Sequence, residues 1–134
     1  MSQPTENAEN APSAAQNALL DPTTFVFPKP LELNTITIEF CDRCRWQHRA
    51  TWVQTELLIT FGPSAIGSIT LIPRMSDETA GRFRVWLSMP GEESALLMWD
   101  RKVEGGFPEL KVLKQRIRDK VQPGKSLGHS DHKA

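Results

Sequence analysis

Cys41 and Cys44 are the only cysteines of this chain, and they stand in the run Phe40-Cys41-Asp42-Arg43-Cys44-Arg45-Trp46. A Cys-x-x-Cys spacing brings two sulfurs together across one tight turn. One thiolate can then attack an external disulfide while the other resolves the mixed disulfide that forms. The reacting species is the thiolate, and a free cysteine ionises only near ~8.5. Arg43, Arg45 and Arg49 set three cations close in sequence against Asp42 alone. A helix opening at the turn would add the partial positive charge of its N-terminus. Both effects favour thiolate and predict a lowered pKa for the pair.

The same sulfurs suit zinc, with Cys41, Cys44 and His48 as three ligands. A structural zinc site closes with four. The chain has no second Cys pair, and His129 and His132 fall in its last residues. His48 is therefore expected to be a solvated helix residue beside the thiols. Redox chemistry is the leading reading. The alternatives are a zinc module through Cys41, Cys44 and His48, or a protein-interaction adaptor with a redox-inert Cys pair. Gly105-Gly106 reads as a turn into a helix rather than a phosphate loop, and no Ser/His/Asp set or usefully paired carboxylates stand elsewhere.

The elements that must position the cysteines follow from periodicity. Ile36, Ile38 and Phe40 alternate with Thr35, Thr37 and Glu39, which predicts a strand running into the turn. After it, Trp46, Ala50, Val53, Leu57 and Phe61 recur at helical spacing, predicting about four turns of helix stopped by Gly62-Pro63. Ile66 to Pro73 reads as a second strand. Phe83, Val85, Leu87 and Met89 alternate as a third. Ala95 to Trp99 is continuously apolar and predicts a fourth strand buried on both sides, joined to the third through Pro90-Gly91. Residues 74–81 are polar and without period. Pro108 and Glu109 read as the first turn of a second helix with a Leu110, Leu113, Ile117, Val121 stripe, ended by Pro123-Gly124. Trp52 and Trp86 fall off their stripes. Burial of both by sheet and helices is expected, the alternative being surface aromatics that hold a client protein.

The order β-α-β-β-β-α predicts an α/β domain with a four-stranded mixed sheet and two helices. Its first two strands are expected to be parallel, and the strand–Cys turn–helix placement suggests a thioredoxin-like scaffold. Residues 31–123 are assigned to this domain. Residues 1–30 are rich in Asn, Gln, Ser, Ala and Pro, too poor in apolar side chains to offset ordering entropy, and are expected to be disordered. Phe25, Val26 and Phe27 are candidates to dock on the domain, and residues 124–134 are expected to be a flexible tail.

Sixteen basic and sixteen acidic side chains cancel, which argues against a nucleic-acid surface. No apolar run approaches the ~20 residues that span a bilayer. Residues 1–24 lack Lys and Arg and carry Glu6, Glu9 and Asp21. That is neither a secretory signal nor a mitochondrial presequence, so a cytoplasmic location is expected, where thiols are kept reduced.

The run Ile38-Glu39-Phe40-Cys41-x-x-Cys44-Arg45-Trp46, with Arg49-Ala50 and Glu56-Leu57-Leu58, resembles the selenoprotein W/T/H group, also called the Rdx or redoxin-like family. So do Trp99-Asp100-Arg101-Lys102-Val103-Glu104-Gly105-Gly106-Phe107-Pro108-Glu109, the following Lys111 and Lys114, and Arg118-Asp119. The resemblance covers roughly residues 35–122. It implies a thioredoxin-like fold and a thiol oxidoreductase with Cys41 and Cys44 as catalytic residues. It implies no bound cofactor, with glutathione or protein thiols as reductant and partners. Selenium-containing members carry selenocysteine at the second motif position, here Cys44. This chain looks like a cysteine-containing, W-like homologue, without the apolar insertion of the T type or the basic leader of the H type. The resemblance favours Cys44 as the attacking group and Cys41 as the resolving one. General thioredoxin geometry, with an exposed first cysteine, points the other way.

Overall fold

β1 (Asn34–Cys41) is the strand from which the rest of the fold is built in this computed structural model, which describes residues 33–128 together with 13, 14, 16 and 20–23. The chain divides into two units, Met1–Pro30 and Leu31–Ala134. In the first, Ser13 and Gln16 exchange reciprocal side-chain to backbone hydrogen bonds, and residues 14, 16 and 20 are helical. The rest of the expected disordered segment, Phe25, Val26 and Phe27 included, lies outside the described residues, as does the chain beyond 128.

The second unit runs β1, α1 (Gln47–Phe61), β2 (Ile66–Arg74), a 3-10 turn (Asp77–Thr79), β3 (Phe83–Ser88), β4 (Leu96–Asp100), α2 (Arg101–Glu104) and α3 (Leu110–Val121). Sheet order is β2-β1-β3-β4, with β1 parallel to β2 and antiparallel to β3, and β3 antiparallel to β4. The expected mixed four-stranded sheet and its parallel first pair are both present.

Alternation along β1 sends Ile36, Ile38 and Phe40 to one sheet face, where Phe83, Val85 and Leu87 of β3 join them. Ala50, Val53, Leu57 and Phe61 of α1, and Leu113 and Ile117 of α3, close over that face in one apolar cluster. A fully buried Leu, Ile or Phe stabilises by roughly 1.5–3 kcal/mol through transfer from water, so this layer accounts for most of the fold's driving force.

With both long helices over one face, the other face is left to polar and mixed side chains, and this corrects two expectations. β4 is an edge strand whose Leu97 is 45% exposed, not a strand buried on both sides. Trp52, on the outer side of α1, is 58% exposed rather than buried, whereas Trp86 is half-buried. A further difference is α2, a helical turn added to the two expected helices. Its cause is local, because the Asp100 carboxylate accepts the Lys102 N–H at 2.8 Å and the Val103 N–H at 3.4 Å as an N-cap does. Gly105, at φ +80°, ends it in the left-handed conformation. α3 starts at Leu110, so Pro108 and Glu109 precede the helix instead of forming its first turn.

Asp100 also pairs with Arg84 at 2.7 Å. Burial pushes its carboxyl up, but the Arg84 contact and the two capping N–H groups outweigh burial and hold it below the usual range. A carboxylate depressed in the folded state stabilises fully above its unfolded pKa, and that contribution is lost as pH falls through the folded value. Urea midpoints measured from pH 7 to pH 3 are expected to fall across the carboxylate range. Asp100→Asn is expected to be less stable at pH 7 yet to lose less on acidification. A variant curve parallel to that of the parent would count against Asp100 as a source of the acid sensitivity.

Candidate redox site

Cys41 is the last residue of β1, and Asp42 to Arg45 form the turn that follows. The turn closes by an Arg45 N–H donated to Asp42 O at 2.9 Å. Arg45 takes a left-handed backbone at φ 58°, a conformation that non-glycine residues rarely adopt. Trp46 is the N-cap position and α1 starts at Gln47. Cys44 thus precedes the helix by three positions instead of opening it.

The Cys44 thiol donates to Cys41 Sγ at 2.8 Å. Cys41 is 1% exposed, and Cys44 is exposed. Burial pushes the Cys41 thiol up. The bond from Cys44 and the backbone N–H groups of Gly81, Cys44 and Arg43 more than offset it, leaving Cys41 below the ordinary thiol value. Cys44 moves the other way. Its bond to Cys41, its partial desolvation and the charge of Cys41 raise it, against the Gly81 N–H and the Arg101 guanidinium. The expectation that both thiols are lowered is therefore corrected. Of the two, Cys41 is the sulfur biased toward thiolate and Cys44 the one biased toward the thiol.

Gly81 is the group that sequence reasoning missed most plainly. It sits at φ +75° in the loop between β2 and β3, and its N–H favours the thiolate form of both sulfurs. That loop is anchored by Arg43 to Asp77 at 2.7 Å and by Lys102 Nζ to Ala80 O at 2.9 Å. Arg101 of α2 is a cation that favours the Cys44 thiolate, while two of the three arginines nearest in sequence are engaged elsewhere. Arg43 is taken up by Asp77, and Arg49 lies 3.9 Å over the Phe107 ring. Arg101 sits 4.8 Å over Trp46. Phe107 meets Trp46 edge-on at 4.8 Å and Phe83 at 5.5 Å, so three rings link the core to the rim of the site. The turn carrying Phe107 is pinned by the Trp99 indole N–H, which donates to Gly106 O at 2.9 Å. The signal for Arg101 and Phe107 lay in the Trp99–Glu109 run, which periodicity alone left without a role.

Beside the cysteine turn, Asp42, Arg43, Arg45, Gln47 and His48 line an open cleft of about 370 Å³. His48 is exposed, as expected. Among the described residues no group of three His, Cys, Asp or Glu side chains is placed to hold a metal, so Cys41, Cys44 and His48 are not gathered into a site. His129 and His132 lie outside the described residues. Also among them, no helix is long and apolar enough to cross a membrane.

A family model described as the Rdx family matches residues 35–119. The chain is similar to the crystal structure of a selenoprotein W-related protein from Vibrio cholerae, with 40% identity, a TM-score of 0.56, and coverage of 67% of this chain and 99% of that one. It is likewise similar to a protein of Bordetella parapertussis, with 42% identity, a TM-score of 0.54, and coverage of 66% and 99%. No curated protein matches significantly.

Proposed function

The chain belongs to the Rdx family, and on that premise we propose that it is a small cytoplasmic thiol–disulfide oxidoreductase or thiol-based redox regulator. The observation that carries this reading is the pairing of an exposed cysteine, Cys44, with a buried one, Cys41, at 2.8 Å. The thioredoxin-like arrangement of strand, Cys turn and helix supports it.

The reduced pair reacts with an external disulfide in two steps. Cys44 Sγ loses its proton to solvent, and its thiolate attacks one sulfur of the disulfide. That S–S bond breaks and one thiolate leaves. Cys41 then loses its proton to solvent, a loss favoured by the Gly81, Cys44 and Arg43 N–H groups. It attacks Cys44 Sγ and expels the second thiolate. Two electrons pass to the external disulfide, and Cys41 and Cys44 are left joined. Reduced glutathione or a protein dithiol returns them by the reverse exchange.

The adaptor reading has one observation in its favour. Trp52, Leu58 and Ile59 of α1 are 58%, 41% and 73% exposed. The two readings part on thiol counting. Mild peroxide is expected to convert two free thiols per chain to none, with full recovery in reducing glutathione buffer. If no Cys41–Cys44 disulfide forms at any poise of that buffer, the redox reading falls and the adaptor reading stands.

A further inference from the structure

Glu39 lies two residues before Cys41 on β1 and therefore on the same face of the sheet, the face without the long helices. It is only 6% exposed. Its Oε1 accepts from Arg74 Nε at 2.9 Å and Arg82 NH1 at 3.2 Å, and its Oε2 accepts from Trp86 Nε1 at 2.6 Å. Burial pushes the carboxyl up. The Trp86 and Arg74 hydrogen bonds, with the charges of Arg74 and Arg82, hold it below the usual range. Buried ion pairs of this kind contribute little net stability, because desolvation offsets the attraction. The apolar layer on the opposite face does not use them.

The distinctive property of the network is where its arginines lead. Arg82 O accepts the Cys41 N–H at 2.8 Å, and Arg74 O accepts the Asp42 N–H at 2.9 Å. One carboxylate therefore ties together, through two side chains, the two backbone carbonyls that hold the first residues of the cysteine turn. Gly81, whose N–H lowers both thiols, is the chain neighbour of Arg82. We propose that Glu39 is a positioning residue of the thiol pair: through Arg82 and Arg74 it fixes the two carbonyls that hold the Cys41 and Asp42 N–H groups, and with them the backbone that carries the sulfurs. The proposal rests on the redox reading only for its consequence, since thiol ionisation is measurable whatever the pair does in the cell.

The test exploits a difference of sign. Glu39→Gln keeps the size of the side chain and removes its negative charge. If Glu39 acted on the sulfurs only through space, losing that charge would lower the thiol titration. If it acts by position, the titration rises. The other charged groups around the sulfurs and the carboxylate (Asp42, Arg43, Arg45, His48, Arg49, Asp77, Arg84, Asp100 and Arg101) are the same in parent and variant.

Thiolate ultraviolet absorbance is followed against pH on the reduced full-length chain, with alkylation by iodoacetamide at pH 7 alongside. Glu39→Gln is expected to titrate higher and to alkylate about three- to tenfold more slowly. Arg82→Lys keeps the charge but loses the planar fork, and is expected to shift in the same direction. It also carries the test if Glu39→Gln does not fold by circular dichroism. The double variant should shift no further than the larger single one, as for residues acting as a unit. A downward or absent shift in a folded Glu39→Gln, or additive shifts in the double variant, would overturn the proposal. If the parent forms no disulfide while Glu39→Gln still shifts upward, the redox reading falls and the positioning role stands. If the disulfide forms and Glu39→Gln titrates like the parent, the reverse holds.

Discussion

Cys44→Ser is expected to abolish exchange with an external disulfide, on the order of a hundredfold or more in rate, while Cys41→Ser still attacks once and stops at a stable mixed disulfide. Access decides the roles. Cys41 is 1% exposed and cannot reach a bulky disulfide without opening the turn, whereas Cys44 stands at the surface. Acidity on its own would choose Cys41, the sulfur whose pKa is lowered. The two criteria apply to different steps: access selects Cys44 for the first attack, and the more acidic Cys41 is afterwards the nucleophile nearest to it. A further sign follows. The bond to Cys41, and the charge of Cys41, are among the causes that hold Cys44 above the ordinary thiol value. Removing Cys41 removes both, so in Cys41→Ser the remaining thiol should titrate lower than Cys44 does in the parent. Its alkylation near neutrality should be faster. Mass spectrometry of each variant after exposure to oxidised glutathione, with alkylation rates from pH 6 to 9, reads both effects. A Cys44→Ser chain that forms the mixed disulfide as fast as Cys41→Ser would reverse the assignment.

That division of labour was only half visible in the sequence, and the reason is physical. Periodicity reports what a segment buries against its own neighbours. The stripe Ala50, Val53, Leu57, Phe61 and the alternation of Ile36, Ile38 and Phe40 therefore carried over into the observed core unchanged. Trp46 continues that stripe against the core from the N-cap position, just outside the helix, because the left-handed Arg45 breaks the run before it. The groups that set the chemistry come from further away. Gly81 and Arg101 lie 37 and 57 positions after Cys44 in the chain, and a backbone N–H has no sequence signature. Arg43 looked like a thiolate partner because nothing local competes for it. Asp77, from a loop without periodicity, does compete. Glu39 had the opposite fate. Its place in an alternating strand set it opposite the apolar face with no partner in view, yet Arg74 of β2, Arg82 just before β3 and Trp86 of β3 enclose it. Local pattern assigns the face of a strand correctly but says nothing about what covers that face.

Phe83→Ala is expected to cost about 3–5 kcal/mol of folding free energy, the range for deleting a buried phenyl ring. Against a total stability of roughly 5–15 kcal/mol for a domain of this kind, that is the largest single-residue loss anticipated outside the cysteines. Phe83 is fully buried and opens β3 directly after Arg82, the residue that receives the Cys41 N–H. Its ring meets Phe107 edge-on at 5.5 Å, and Phe107 in turn seats Trp46, Arg49 and Arg101. The cavity would therefore open between the core and the rim of the site. Two readouts separate these consequences. The guanidinium midpoint should fall with little change in slope if the loss is one of packing. Under fully folding conditions Cys44 alkylation at pH 7 should also slow, because Arg101, which favours the Cys44 thiolate, loses its seat on the rings. Phe107→Ala should show the reverse balance, a smaller stability loss from a half-buried side chain with an equal or larger effect on the thiol. If Phe83→Ala lowers stability but leaves the alkylation rate untouched while Phe107→Ala also leaves it untouched, the aromatic link does not hold Arg101. The cation near Cys44 would then owe its place to the Asp100-capped turn of α2 alone.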